Sequence, residues 1–403
     1  MLSTASAIDA AIRDATADPY TGLPRVTMVA ATRDGEVYRG FGGWAQLPND
    51  PAKLEAEGVP LTGDSIHGLY SSTKLVGTIA ALQLVEQGRL SLDDDASQYV
   101  PELKTVKLFK GFDDKDEVVL EDNTTPITVK MLATHTAGFA YWLFHPHAGK
   151  VAEKLGIPTT PYDRGGKRSD LARMPLFAKP GERFSYGTCI DWLTLVVEAV
   201  SGLSLEEYFQ QNIFRPLGIT DISFKPNPTQ ICMAYEGDGG KYQFGPSPLM
   251  NLEANFGGSG LKGSAPSYMR ILRALLRGGE LDGARILEEE TVELMFEDHL
   301  DGEQQHTSFG AFGAPVVESF SRKAGKPLPD MTYGLGGSLG GEGVASGRGA
   351  KTLTWSGLAN TFWWIDRSRG VCAVFWSNIL PFGSQRVYDL WETCEVELYK
   401  GLS

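Results

Sequence analysis

Cysteine is scarce. Only Cys189, Cys232, Cys372 and Cys394 occur in 403 residues, far apart and with no C-x-x-C pair. That excludes a disulfide framework and a cysteine-based zinc site, and it fits buried, reduced thiols in a cytosolic protein. Histidine is scarcer than the length suggests, with 6 residues. His145-Pro-His147 is a loop pair without the H-E-x-x-H spacing of a helical metal site, so no metal is expected. Positive charge is also short, 37 Lys and Arg against 50 Asp and Glu, for a net charge of −13. No basic stripe stands out, which argues against nucleic-acid partners, whose phosphates are held by cationic side chains. No apolar run reaches the ~18–20 residues of a membrane helix. The opening segment MLSTASAIDAAIRDATAD lacks the basic start and apolar run of a secretory signal, so a cytoplasmic protein is expected. Repeats and low-complexity segments are absent.

The rest of the chain suits a globular core, with 42% hydrophobic and 10% aromatic residues, and its 47 glycines imply many turns. A length of 403 allows one large composite domain or two ordinary ones. Residues 7–17 read as a helix. Residues 25–44 read as a hairpin turning at Asp34-Gly35. Residues 72–87 carry apolar side chains at helical spacing, with Gly88 as a C-terminal cap. Further helices are expected at 188–201, 204–213, 265–277 and 385–400. Strands are expected at 351–358, 361–366 and 370–378, after a turn-rich zone at 334–349. Strands thus sit toward both chain ends and helices fill the centre. The economical arrangement is an α+β fold: one antiparallel sheet built from both ends, flanked by helices, with a mainly helical insertion. The expected division is 1–95 with 250–403 for the sheet domain and 96–249 for the insertion.

The strongest chemical signal is Ser71-Ser72-Thr73-Lys74 at the start of an apolar helix. A three-residue step puts Ser71 and Lys74 on one helical face. A serine hydroxyl needs a base beside it to act as a nucleophile, and a lysine whose charge is discouraged can serve. The helix N-terminus adds free N–H groups and positive dipole. S-x-x-K recurs by chance, however, and Ser259-Gly260-Leu261-Lys262 repeats it in a glycine-rich segment not expected to be helical. Gly336-Gly337-Ser338-Leu339-Gly340 matches the G-x-S-x-G elbow of α/β-hydrolases, but no histidine follows it, the last being His306, so that triad cannot form in its usual order.

The motifs extend beyond SSTK. LATHTAGF (132–139), KPGERFSYGTCIDWLTLVVEAVSG (179–202), IFRPLGITDISF (213–224), the glycine-rich block 257–283 and YGLGG (333–337) occur in a fixed order. Together they resemble the serine β-lactamase and penicillin-binding-protein superfamily of class C type. Within it the sequence looks most like family VIII carboxylesterases and the fungal lovastatin side-chain acyltransferase group. The resemblance implies that Ser71 is the nucleophile. The family's Tyr-x-Asn motif falls on Tyr186-Gly187-Thr188, so Tyr186 is implied as general base or proton relay, with threonine in place of asparagine. A phenol ionises near ~10 and needs a nearby cation to work at neutral pH. Sequence alone leaves open which of Lys74 and Tyr186 is the base, since a close pair titrates jointly.

The family's Lys-Thr-Gly motif aligns with Trp355-Ser356-Gly357. The lysine that helps hold a β-lactam carboxylate is lost, which favours neutral, apolar substrates. The resemblance further implies an oxyanion hole from the backbone N–H groups of Ser71 and Leu358, with Gly357 allowing close approach of the strand. Tyr141, Trp142 and Phe144, and Trp355, Phe362, Trp363 and Trp364, lie beside the motifs. Most are expected in the core, with Tyr141, Trp142, Trp355 and Gly357 as the candidates against substrate. His135 is expected to pack. The implied activity is cleavage of carboxylic esters of small molecules, with no cofactor. Acyl transfer to an alcohol, a β-lactamase or D-aminopeptidase, and a non-catalytic binding protein are the alternatives.

Overall fold

A strand that is apolar on both sides must be covered on both faces. The segments Thr361–Asp366 (TFWWID) and Val371–Trp376 (VCAVFW) are buried at every position. They lie at the centre of the sheet in a computed structural model that describes residues 2–162, 165–249, 252–300 and 332–402.

From the start of the chain come helix α1 (Leu2–Ala15) and strands β1 (Arg25–Thr32), β2 (Glu36–Gln46) and β3 (Val59–Pro60). The later part contributes β4 (Thr332–Tyr333), β5 (Ser338–Leu339), β6 (Leu353–Gly357), β7 (Thr361–Asp366) and β8 (Val371–Trp376). Their order in the 8-stranded sheet is β4-β5-β6-β7-β8-β1-β2-β3, antiparallel throughout. Both chain ends therefore build one sheet, as the sequence pattern implies. The expected hairpin turn at Asp34-Gly35 joins β1 to β2.

Alternation divides the sheet's side chains between two apolar layers. Phe362, Trp364, Phe375 and Met28 face α1 and the C-terminal helix Gln385–Gly401. There Phe362 stacks on Trp391 with ring centroids 4.1 Å apart. Trp363, Ile365, Val374 and Trp376 face the opposite way, into the cluster that holds the remaining helices. Phe362, Trp363 and Trp364 are fully buried core residues, as expected.

Three helices of this second layer position the site: α2 (Thr73–Glu86), α3 (Cys189–Ser201) and α4 (Ala265–Leu276). Every residue of α2 from Thr73 through Leu84 is buried, so this is a core helix and not a surface amphipathic one. The helix expected at 204–213 is α-helical only over Leu205–Phe209 and continues as a wider π-type turn over Gln210–Phe214. The central region also holds strands that the sequence pattern does not announce. Lys107–Phe112 pairs with Val118–Asp122, and Met233–Glu236 pairs with Tyr242–Gly245 and, in parallel, with Ile379–Leu380. Several carry charged or glycine residues that mask a strand's alternation. All four cysteines are buried thiols. Among the described residues no helix is long and apolar enough to cross a membrane.

Because α2 is enclosed on all sides, truncating it leaves a cavity. Ile79→Ala, at a fully buried position, is expected to destabilise the protein by about 2–5 kcal/mol. Chemical denaturation of the two proteins checks this.

Candidate active site

The segment before α2 is held in a conformation that the sequence alone would not choose. Tyr70 has φ 48°, in the left-handed region, and Ser71 follows in a short 3-10 turn over Tyr70–Ser72. Such backbone costs about 1–3 kcal/mol and persists only where surroundings enforce it. Here they do. Leu69 N–H donates to the Leu261 carbonyl at 2.9 Å, and the Thr361 hydroxyl donates to the Leu69 carbonyl at 3.3 Å. The Ser72 hydroxyl donates to the Thr361 carbonyl at 3.2 Å, and the Tyr268 phenol donates to the Ser72 carbonyl at 2.8 Å. The turn is thereby pinned to β7, to α4 and to the glycine-rich segment 257–263.

Lys74 is the second residue of α2 and is completely buried. Its Nζ donates to Gly258 O at 2.7 Å, to the Tyr141 phenol oxygen at 3.2 Å and to Ser71 Oγ at 3.3 Å. The S-x-x-K spacing thus brings hydroxyl and amine together. Thr188, which replaces the asparagine of the family motif, starts α3 without a side-chain cap bond. The oxygens around Lys74 come from Ser71, Tyr141 and Gly258.

Tyr186 is brought to the same place from a different part of the chain. Lys74 Nζ lies 5.0 Å from the Tyr186 ring centroid and 5.2 Å from that of Tyr141, both within cation–π range. The Tyr186 oxygen accepts a hydrogen bond from the Trp355 indole N–H at 3.1 Å. His135, Tyr141, Phe144 and Trp355 pack around the ring with centroids at 4.9, 5.2, 5.3 and 4.9 Å. His135 is buried in aromatic surroundings, and burial together with the Lys74 charge pushes its imidazole well below the usual histidine range. It packs, as expected.

Strand β6 ends beside the nucleophile turn. A Cβ added at Gly357 would lie 2.6 Å from Leu69 O and 2.8 Å from Tyr70 Cβ, so only glycine lets this strand approach. Leu358 follows directly, with its side chain 38% exposed. Of the four residues expected against substrate, Trp142 is 44% exposed on the turn Trp142–Phe144. Gly357 abuts the nucleophile turn. Tyr141 and Trp355 are buried, and each spends its polar atom on a catalytic candidate, Tyr141 on Lys74 and Trp355 on Tyr186.

Two residues at the site were not foreseen. The Tyr141 phenol shares a 2.8 Å hydrogen bond with Tyr162, and Tyr162 donates to Asp191 Oδ2 at 2.9 Å. Asp191 Oδ1 accepts the Gly258 N–H at 2.8 Å. Burial pushes the Asp191 carboxyl up to about 6, against the opposing pull of Lys74. Asp191 stands five residues after Tyr186, on the buried face of α3, and only its burial in an otherwise apolar helix could have marked it.

The decoys fall away on geometry. Lys262 donates to Phe224 O at 2.9 Å and Gly260 O at 3.1 Å, and no bond joins it to Ser259 among the described residues. Ser338 is buried within β5, its hydroxyl donating to Thr354 O. His306 lies outside the described residues. His145 and His147 pack against Phe177 and Phe109, and no metal-binding group of side chains occurs among the described residues.

The Beta-lactamase family profile matches residues 13–394. The lovastatin esterase of Penicillium rubens is 35% identical over 87% of this chain and 89% of its own. The monacolin J acid methylbutanoyltransferase of Aspergillus terreus is 32% identical over 84% of this chain and 83% of its own. Among solved structures, a variant of simvastatin synthase from Aspergillus terreus superposes with a TM-score of 0.86 at 28% identity, covering 100% of this chain and 98% of that one. EstCE1, a hydrolase with promiscuous acyltransferase activity, shares the fold at a TM-score of 0.76 and 22% identity, over 99% of each chain. The chain belongs to the Beta-lactamase family, among relatives that are esterases and acyltransferases.

Proposed function

We propose that this chain is a serine carboxylesterase that works through an acyl-enzyme on Ser71, with Lys74 and Tyr186 handling its proton. The single observation that carries the reading is the contact of a buried lysine with Ser71 Oγ, beside the Tyr186 ring. In the proposed cycle Ser71 Oγ attacks the substrate carbonyl as the Lys74 and Tyr186 pair removes its proton. The N–H groups of Ser71 and Leu358 receive the oxyanion, where fixed donors act without reorganising. The alcohol leaves with the proton, and water then cleaves the acyl-enzyme.

Replacement of water by an alcohol acceptor would make the same intermediate an acyltransferase. The methylbutanoyltransferase among the relatives favours keeping this as the second reading. A lovastatin esterase and a methylbutanoyltransferase among the relatives support a small-molecule ester with a short branched acyl group as the substrate. The exposed Trp142 is our candidate for the wall that meets it. Trp355 standing where a β-lactamase carries lysine removes a cation for a substrate carboxylate, so β-lactam or D-amino-acid peptide cleavage is the less favoured alternative. We read 1–95 with 250–403 as the domain bearing Ser71 and Leu358, and 96–249 as the insertion bearing Tyr186. The buried thiols support a reducing, cytoplasmic setting.

Ser71→Ala is expected to reduce hydrolysis of p-nitrophenyl butyrate to background while leaving the thermal unfolding midpoint close to wild type. Retained turnover would contradict the assignment. Trp355→Phe keeps the ring but deletes the donor to Tyr186. A hydrogen bond to a charged oxygen contributes about 1.5–3 kcal/mol, so kcat is expected to fall roughly 10- to 100-fold. Steady-state kinetics of the variant against wild type reads this directly.

A further inference from the structure

A lysine buried without a counter-charge loses its proton readily, because a low-dielectric interior disfavours the ammonium form. Lys74 has no direct salt bridge among the described residues, yet it is tied to Asp191 by two routes. One runs through the phenols of Tyr141 and Tyr162. The other runs through Gly258, whose carbonyl accepts from Lys74 and whose N–H donates to Asp191. A side chain at 258 would collide with the carboxylate, since a Cβ there would sit 2.5 Å from Asp191 Oδ2.

The direction of the phenol route follows from counting hydrogens. The ionised Asp191 carboxylate only accepts, so Tyr162 gives it its one hydrogen. Tyr162 must then accept from Tyr141, and Tyr141, its hydrogen committed, must accept from Lys74. Gly258 O also accepts, which leaves the third Lys74 hydrogen aimed at Ser71 Oγ.

We infer that Asp191, acting through Tyr162 and Tyr141, is the buried counter-charge that holds Lys74 as an ammonium ion with every hydrogen committed, so that the Ser71 proton goes to Tyr186. The inference rests on the function proposed above. Asp191 and Tyr162 are positioning residues, since neither touches the reacting atoms. In the acylation step one proton moves from Ser71 Oγ to the phenolate oxygen of Tyr186 as the Oγ–carbonyl bond forms. Lys74 gives up no proton and takes none. Lys74 Nζ lies over the Tyr186 ring and the Trp355 N–H donates to its oxygen, so both groups stand beside the atom that takes the proton.

The groups that face Lys74 are the Ser71 hydroxyl, the Tyr141 and Tyr186 rings, Asp191 and Cys189 of α3, and His135. Burial pushes the Cys189 thiol up to about 12 and the His135 imidazole far down, so both are neutral near pH 7. Asp191 accepts from both the Gly258 N–H and the Tyr162 phenol, the pattern of an ionised carboxylate, which leaves it as the negative charge of the set. Asp191→Asn removes that charge. Its amide oxygen can keep the Gly258 N–H, but its NH2 then donates to Tyr162 and reverses the chain.

The test is a pH titration of the full chain carrying lysine labelled with carbon-13 at Cε, with the Lys74 resonance assigned by its loss in Lys74→Arg. Asp191→Asn is expected to lower the Lys74 midpoint by about 1–3 pH units, and Tyr162→Phe by a smaller, measurable amount. The alkaline limb of kcat/KM for p-nitrophenyl butyrate is expected to move down by the same amounts. A midpoint that stays put in both folded variants overturns the inference. If Asp191→Asn does not fold, an unmoved midpoint in Tyr162→Phe overturns it alone. Absence of ester turnover in the wild type would strike the proposed function instead, while the lysine titration still decides the role of Asp191.

Discussion

A fully buried lysine side chain is the constraint on which the rest of this site depends. Lys74 can sit at the base of α2 only if its amine hydrogens find oxygens there. The fold draws this network from five separate stretches of chain: Ser71 from the turn before α2, Tyr141, Tyr162, Asp191 from α3, and Gly258 from the glycine-rich segment. None of these is close to Lys74 in sequence except Ser71. The sheet, built from both chain ends, serves this convergence by fixing where β6 and β7 meet the turn that carries Ser71. The left-handed Tyr70 and the crowding at Gly357 are local signs of how tightly the two are held.

The aromatic character of the site follows from the same constraint. Where a β-lactam enzyme would place a second lysine, Trp355 offers a neutral indole N–H to the Tyr186 oxygen. A neutral donor satisfies the tyrosine oxygen without adding another buried charge that would need its own partner. At this position the indole also offers no charge to an anionic substrate. The loss of that lysine, visible as a motif departure, therefore has two linked effects, one on the tyrosine and one on substrate choice. Both agree with relatives that are esterases and acyltransferases.

Legibility in the sequence followed the range of the interaction. Ser71 and Lys74 could be paired because helical periodicity converts a three-residue step into a shared face. The sheet strands 361–366 and 371–376 and the core helices could be placed because their apolar runs are long. Tyr186 was reachable only through its flanking PG-x-x-F segment and the resemblance it carries. Asp191 and Tyr162 were not reachable, because a single acid in a helix and a single tyrosine in an irregular segment have no period or spacing to betray them. Their meaning comes from contacts across 21 residues and more. Trp355 was expected against substrate, and its hydrogen bond to Tyr186, which spans 169 residues, is invisible to any local pattern. The strand pairs at 107–122 and 233–245 escaped because charged and glycine residues interrupt their alternation.

The account turns on Ser71 Oγ as the atom that carries the acyl group. Intact and peptide-level mass spectrometry after brief exposure to a panel of p-nitrophenyl esters tests this most directly. The account predicts a mass increase equal to the acyl group, located on Ser71 and absent from Ser71→Ala. An acyl group found on any other residue, or turnover of the ester with no acylated species at quench times shorter than one turnover, would contradict it.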